Sequence, residues 1–122
     1  MTSPRADFFP VRPPEPIQLL RSLKGIFPQF GDEEVVADLQ GAFGTGLHCV
    51  MRHFTDYFSE THSQSTERQL SALGRLLDDA VTVDDNLENA VATCLLEHLR
   101  QINAYKLLSP YLSQRAKEKT IP

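Results

Sequence analysis

The feature that most constrains this chain is a run of apolar residues at three- and four-residue steps. It begins at Val36 and continues to Phe58. Residues at this spacing share one face of an α-helix, whereas a strand needs alternation at every second position. The run is longer than an ordinary globular helix. It contains Gly41, Gly44 and Gly46, so we expect a kink or a break near these glycines.

Helical spacing also marks the segments before and after this run. A first helix is predicted to begin at Pro16, because proline suits the first helical position, and to be stopped by Pro28. Asp32 is the predicted N-cap of the long run. A polar stretch over residues 59–69 then precedes another helix, whose cap the pattern does not place. The leucines of that helix are Leu70, Leu73 and Leu77.

The clearest helical pattern covers residues 87–102. Asp85 is its predicted cap, with Glu88 at the spacing of a capping box. A short last helix is predicted to start at Ser109 and Pro110. Its predecessor carries apolar residues at four-residue steps: Leu87, Val91, Leu95 and Leu99. Together these patterns predict an all-α fold of four to five helices, packed as an antiparallel bundle or a short solenoid-like stack.

The start of the chain differs from the rest. Residues 1–15 are a predicted proline-rich extended arm, because proline fixes φ and removes an amide donor. Its adjacent Phe8 and Phe9 either dock on the same chain or are offered to a partner. Residues 16–122 are predicted to form a single helical domain.

Bulk properties exclude several classes of function. The formal net charge is −4, so the chain lacks the basic footprint of a nucleic-acid-binding protein. It has no apolar stretch long enough for a signal peptide or a membrane span, which favours a cytoplasmic protein without a membrane partner. Cys49 and Cys94 lie in apolar helical patterns, so both are predicted to be reduced and buried.

The glycines do not match a phosphate-binding loop. Their order is G-x-x-G-x-G over Gly41, Gly44 and Gly46, whereas the dinucleotide fingerprint is G-x-G-x-x-G between a strand and a helix. No Lys-Ser or Lys-Thr pair follows them. We therefore expect no cofactor here, and we attribute the glycines to close packing of a neighbouring helix.

The histidines give an alternative hypothesis. His48 and His53 are five residues apart, which is not the spacing of a zinc-binding helix, so no metal ligands are predicted. Cys94 and His98 are four residues apart on an apolar face, where packing is the expected role and catalysis is not. A site assembled in space from His48, His53, His62 and His98 stays open, and with His48, His53 and His98 as its main candidates it would make the chain a small-ligand- or metal-binding protein.

Charges are unevenly distributed near the C-terminus. Residues 78–88 hold five acids and no base, namely Asp78, Asp79, Asp84, Asp85 and Glu88. Residues 106–119 hold four bases, Lys106, Arg115, Lys117 and Lys119, and one acid, Glu118. One interpretation is a solvated turn and a solvated tail. The other is an acidic surface that binds a basic protein partner, because such fields raise association rates.

The C-terminal third of the chain resembles a family of small bacterial helical domains of unknown function. The matching residues are Asn89, Val91, Leu95, Leu96, Glu97, Leu99, Leu107, Leu108, Pro110 and Leu112. The family has no established catalytic residues, and some members look like immunity proteins that neutralise toxins. The resemblance therefore implies a helical body without a reaction centre.

These observations lead to one main hypothesis and two alternatives. The main hypothesis is a non-enzymatic protein-binding module, with inhibition of a basic toxin domain as its specific form and the acids at 78–88 as the contact surface. The first alternative is the small-ligand- or metal-binding protein described above. The second is a structural or oligomeric subunit.

Overall fold

The computed structural model describes residues 15–31, 33–40 and 46–120. Every regular element in these ranges is helical, and no strand occurs in them. The α-helices are α1 Pro16–Ile26, α2 Glu33–Gln40, α3 Gly46–Thr61, α4 Glu67–Ala80, α5 Asn86–Cys94, α6 Tyr105–Leu108 and α7 Gln114–Glu118. Five of the seven have seven residues or more, so the predicted all-α fold is confirmed.

The starts of the helices follow from local capping. Pro16 is the first residue of α1, as predicted. Asp85 caps α5, and its Oδ1 accepts a hydrogen bond from the Glu88 backbone N–H at 3.0 Å. The cap of α4 is Thr66, which the sequence pattern did not place. Its hydroxyl accepts from the Gln69 N–H at 3.1 Å, and the Gln69 side chain accepts from the Thr66 N–H at 2.9 Å. This reciprocal pair satisfies two amides that the helix leaves free.

The predicted continuous helix over 87–102 is wrong, because α5 ends at Cys94 and a 3₁₀ turn, Leu96–His98, follows. The Thr55 hydroxyl of α3 shares its one proton between the Cys94 carbonyl at 2.6 Å and the Met51 carbonyl at 2.8 Å. The His98 N–H therefore bonds to the Leu95 carbonyl, three residues back, at 2.9 Å. Asn103 then adopts a left-handed backbone with φ of 62°, which turns the chain towards α6.

The predicted start of the last helix is also wrong. Ser109 and Pro110 belong to a 3₁₀ turn, Ser109–Tyr111, and α7 begins later. Ser113 caps α7, with its hydroxyl accepting from the Ala116 N–H at 3.2 Å. Proline at 110 fits either kind of helix start, because its missing N–H is not needed in a first turn.

The long apolar run from Val36 to Phe58 forms two helices, α2 and α3, as the predicted break near the glycines requires. Gly46 begins α3 and is buried, and a Cβ there would lie 2.6 Å from Pro16 Cγ. Close packing is therefore confirmed as the role of this glycine. Gly41, Gly44, the predicted cap Asp32 and the predicted arm, apart from Glu15, lie outside the described residues.

The core is built around α3, which packs against α1, α2 and α5. Its aromatic rings meet those of the segment after α1, with centroids 5.3–6.1 Å apart. The rings of this cluster are Phe27, Phe30, Phe54, Tyr57 and Phe58. Each ring has two to four aromatic neighbours in the cluster, and such pairs add attraction beyond the area they bury. This packing fixes α3, whose opposite face carries the site described below.

Within the described ranges, the helices are all too short or too polar to cross a membrane.

Candidate functional site

The acids of residues 78–88 bind the chain's own C-terminal segment. Asp78 Oδ1 accepts a hydrogen bond from the Ser113 N–H at 2.7 Å. The Glu88 carboxylate lies 2.8 Å from Lys119 Nζ. Asp84 lies 3.6 Å from the Arg115 guanidinium, and Arg115 Nε also donates to the Val81 carbonyl. We call these contacts between residues 78–88 and 111–120 the C-terminal clasp.

The clasp brings together two charged stretches that are separate in the sequence, one acidic and one basic. Glu88 is only 13% exposed in its ion pair, and Asp85 acts as a helix cap. Asp79 has interactions of its own as well. Among the predicted contact residues, Asp84 is the most open of the ion-paired acids, with a side chain that is 82% exposed. The stretch is therefore partly neutralised by the basic tail.

The three main alternative site residues, His48, His53 and His98, line one open cavity of about 700 Å³. His62 is not part of this lining, and its Nδ1 lies 2.8 Å from the Phe58 carbonyl oxygen. We call it the histidine cavity. It lies where α2, α3 and the end of α5 meet. Its other lining residues are Asp38, Arg52, Thr55, Asp56, Thr93, Cys94, Gln101 and Ile102.

One wall of the cavity is a polar stripe on α3. His48, Arg52 and Asp56 follow one another at four-residue steps, which places them on one helix face. Beside them, His53 Nε2 lies 2.9 Å from Asp38 Oδ2 of α2. The opposite face of α3 is buried in the aromatic cluster, so the stripe has to face outward.

Arg52 and Asp56 are the charged groups of this wall that stay unpaired. Across residues 15–31, 33–40 and 46–120, the structure gives neither side chain an ion pair or a hydrogen bond, and both are exposed. They are one helical turn apart, but a base that precedes an acid by four residues is the less favourable order for pairing on a helix. The wall therefore presents a guanidinium and a carboxylate side by side.

The far end of the cavity is formed by the turn after α5. His98 Nδ1 lies 2.7 Å from Gln101 Oε1, and Nδ1 is the donor in the tautomer that forms this hydrogen bond. His98 Nε2 is then left as an acceptor. The Gln101 amide nitrogen and the Thr93 hydroxyl add further hydrogen-bonding groups to the same lining.

His48 joins α3 to α5 through two contacts. Its Nδ1 lies 3.4 Å from Cys94 Sγ, and its Nε2 lies 3.4 Å from Asn89 Nδ2. An amide N–H that donates to Nε2 places the ring proton on Nδ1, next to the sulfur. A flip of the Asn89 side-chain amide places its oxygen, and not its nitrogen, next to His48 Nε2. Nε2–H then donates to this oxygen, and Nδ1 can accept the thiol proton of Cys94. Thr93 Oγ1 lies 3.3 Å from Asn89 Oδ1. Because a hydroxyl can donate to an amide oxygen or accept from an amide nitrogen, this contact fits either orientation of the Asn89 amide.

The partner of Cys94 is therefore His48 and not His98, the neighbour considered in the sequence. Both cysteines are free and buried, as predicted. Burial raises the pKa of the Cys94 thiol above its ordinary value, Arg52 opposes this shift, and Glu97 adds to it. Burial raises the pKa of Cys49 as well. Both thiols are thus held in the protonated form at neutral pH.

No metal-binding arrangement occurs among the residues that the structure describes, since no three His, Cys, Asp or Glu side chains lie close enough to share an ion. The polar cavity is lined instead by hydrogen-bonding and charged groups from separate elements. Arg52 was missed in the sequence, although its four-residue spacing from His48 and Asp56 is visible there. The contact between His48 and Cys94 spans 46 residues, and no local pattern reports it.

Comparison with known proteins gives a family but no characterised relative. None of the curated proteins matches the chain, and none of the solved structures does. The sequence model of one family, described as a domain of unknown function (DUF7674), matches residues 20–121. Because this match covers most of its length, the chain belongs to that family.

Proposed function

We propose that this protein binds a small zwitterionic ligand, of the amino-acid or short-peptide class, in the histidine cavity. The observation that carries the proposal is the pair formed by Arg52 and Asp56, which lie on one wall without partners among the described residues. A guanidinium binds a carboxylate through two parallel hydrogen bonds, and a carboxylate accepts from an ammonium group. The role is binding and not catalysis.

The rest of the lining supports a ligand of this kind. About 700 Å³ lies within the usual range of small-molecule sites. Gln101 and the acceptor nitrogen of His98 supply neutral hydrogen-bonding groups, while Ile102 supplies an apolar contact. The negative charge of Asp38 is already engaged by His53. A ligand with one acidic and one basic group therefore matches the open charges better than a simple anion or cation.

Calorimetric titration of the full chain with a panel of free amino acids and dipeptides tests this proposal. Matched compounds that lack either the amine or the carboxylate measure the need for each charge. We expect Arg52→Gln and Asp56→Asn each to weaken binding by about tenfold or more, since a charge-assisted hydrogen bond contributes at least about 1.4 kcal/mol.

Arg75→Gln is the control variant, because Arg75 is an exposed arginine of α4 outside the cavity. It should bind like the wild-type protein. The proposal fails if no zwitterion in the panel binds, or if Arg52→Gln binds as tightly as Arg75→Gln.

Protein binding through the turn between α4 and α5 is a second candidate function. Val83 is 51% exposed, an unusual exposure for a large apolar side chain, and Asp84 beside it is open to solvent. An apolar residue next to an acid suits a basic partner with an apolar contact. The match above is to a family of unknown function, which is consistent with the predicted resemblance, whereas the immunity-type inhibitor of a toxin stays a prediction.

Co-expression with the product of the adjacent reading frame tests the second candidate. If that product arrests growth, we expect this chain to restore growth and Val83→Ser with Asp84→Lys to abolish the rescue. Glu60→Lys is the control, since Glu60 is an exposed acid on α3 away from the turn. A harmless neighbouring product, or rescue that survives both turn substitutions, would count against protein binding at this turn.

A further inference from the structure

We propose that Cys94 is a modification site, where the thiol forms a mixed disulfide with a low-molecular-weight disulfide that enters the histidine cavity. The structure places three necessary features together. These are access to the sulfur, a base within reach of its proton and room for the attached group. The reaction needs only these features, so it does not depend on the proposed binding of a zwitterion.

Access distinguishes the two cysteines. Cys94 is 9% exposed and lines the histidine cavity, whereas Cys49 is 2% exposed and is not part of its lining. A reagent in the cavity therefore meets Cys94 in the cavity wall, beside His48, and does not meet Cys49. Cys49 becomes reactive only when α3 moves away from its neighbours. One chain thus contains the reactive thiol and its matched internal control.

The base is the His48 imidazole. Its Nδ1 is 3.4 Å from Cys94 Sγ, and turning over the Asn89 amide lets Nδ1 accept a proton while Nε2–H is held by the amide oxygen. The same three residue types work together in cysteine proteases on unrelated folds. Thiol exchange needs only these groups and an incoming disulfide, so it is the simpler chemistry.

A base is required because the thiol ionises poorly by itself. Burial and Glu97 raise the pKa of Cys94, and the position of Cys94 at the C-terminal end of α5 opposes negative charge there. Arg52 is the opposing positive group. The thiolate, and not the thiol, attacks a disulfide. Transfer of the proton to His48 therefore limits the rate near neutral pH.

The exchange step balances without another reactant. The Cys94 S–H proton moves to His48 Nδ1, and the sulfur attacks one sulfur of the incoming disulfide. The Cys94 S–S bond forms as the original S–S bond breaks, and the departing thiolate takes the proton from His48. Cys94 is oxidised and the departing sulfur is reduced, while the incoming disulfide supplies the oxidising equivalent.

Intact-protein mass spectrometry of the full chain, incubated with hydroxyethyl disulfide under native conditions, tests the proposal. We expect one added hydroxyethylthio group, mapped to Cys94 by peptide analysis and removed by a reducing thiol. Cys49→Ser should form the adduct at the wild-type rate, and Cys94→Ser should form none while folded. His48→Ala should react at least about tenfold more slowly at pH 7. That difference should shrink at higher pH, where hydroxide removes the proton.

Three outcomes would overturn the proposal: no adduct on the folded wild-type chain, equal labelling of Cys49 and Cys94, or an unchanged rate in His48→Ala at pH 7. Peptide mapping of the wild-type chain needs no substitution, so it stays decisive if a variant fails to fold. Labelling in denaturant gives the intrinsic rate of each thiol and corrects the comparison between variants.

Discussion

The C-terminal clasp and the histidine cavity both contain several charged side chains, but the two regions differ in whether these side chains have partners within the fold. In the clasp, acids at 78–88 bind amides and bases at 111–120. In the cavity, Arg52 and Asp56 bind nothing among the described residues. A charged group engaged within the fold contributes to stability, whereas an unpaired one at the surface of a cavity contributes little. The clasp is therefore a stabilising feature, and the cavity is the better candidate for a ligand.

The largest effect is expected where α4 supports residue 111, at the start of the C-terminal segment that forms the clasp. Gly74 of α4 lies against Tyr111, and a Cβ at residue 74 would overlap the Tyr111 carbonyl oxygen and lie 2.7 Å from Tyr111 Cβ. We expect Gly74→Ala to destabilise the fold by about 3 kcal/mol, since rigid backbone has to move. Urea denaturation measures this.

Gly25→Ala is the control for that substitution. Gly25 lies in α1, and a Cβ there meets nothing within 4 Å, so alanine should raise the stability by up to about 1 kcal/mol through helix propensity. Equal effects at the two glycines would show that Tyr111 does not pack closely on Gly74, and the C-terminal segment of the clasp would lack this support from α4.

The next test removes the charged acceptor of the clasp. Asp78→Ala should cost about 2 kcal/mol, because the Ser113 N–H loses a charged partner in a part-buried position. Asp78→Asn retains an oxygen that can accept the same bond and should cost about half as much. Denaturant unfolding of both variants checks the order. If Asp78→Asn were the more harmful change, the hydrogen bond would not be the source of the stability.

The two regions also differ in how far the sequence predicts them. The helix starts at Pro16 and Asp85 were predicted correctly, because each depends on groups within four residues. The end of α5 was not, since it depends on Thr55, which is 39 residues away. The apolar pattern does not indicate that α5 ends at Cys94, because Leu96 and Leu99 stay buried in the 3₁₀ turn and after it, as they would in an α-helix.

The same distinction applies to the candidate site. His48, His53 and His98 were named from residue type alone, and their convergence on one cavity required the packing of α3 against the end of α5. The clasp was not predicted from the sequence, because the pairing of Glu88 with Lys119 depends on where the chain lies after α6. Composition reveals which charges a chain has, but their partners are set by tertiary structure.

The ion pair of Glu88 and Lys119 gives a smaller effect that depends on salt. Glu88→Gln should cost about 1 kcal/mol or less at low ionic strength, since Lys119 is partly exposed and such pairs contribute little. Stability measured at rising sodium chloride concentration should bring the variant and the wild-type protein closer together, because ions screen the pair. A cost that does not change with salt would point to lost packing as the cause.

The smallest effect on stability is expected in the cavity, where it discriminates most directly between the two regions. Arg52→Gln and Arg115→Gln are the same chemical change at two exposed arginines. Arg115 bonds to the Val81 carbonyl and pairs with Asp84, so its loss should cost about 1 kcal/mol. Arg52 has no such partner in the described ranges, and its replacement should change the stability by less than about 0.5 kcal/mol.

Calorimetry should then show the reverse order for ligand binding, with Arg115→Gln unchanged and Arg52→Gln weakened. A substantial loss of stability in Arg52→Gln would mean that its guanidinium serves the fold, and the cavity would no longer differ from the clasp.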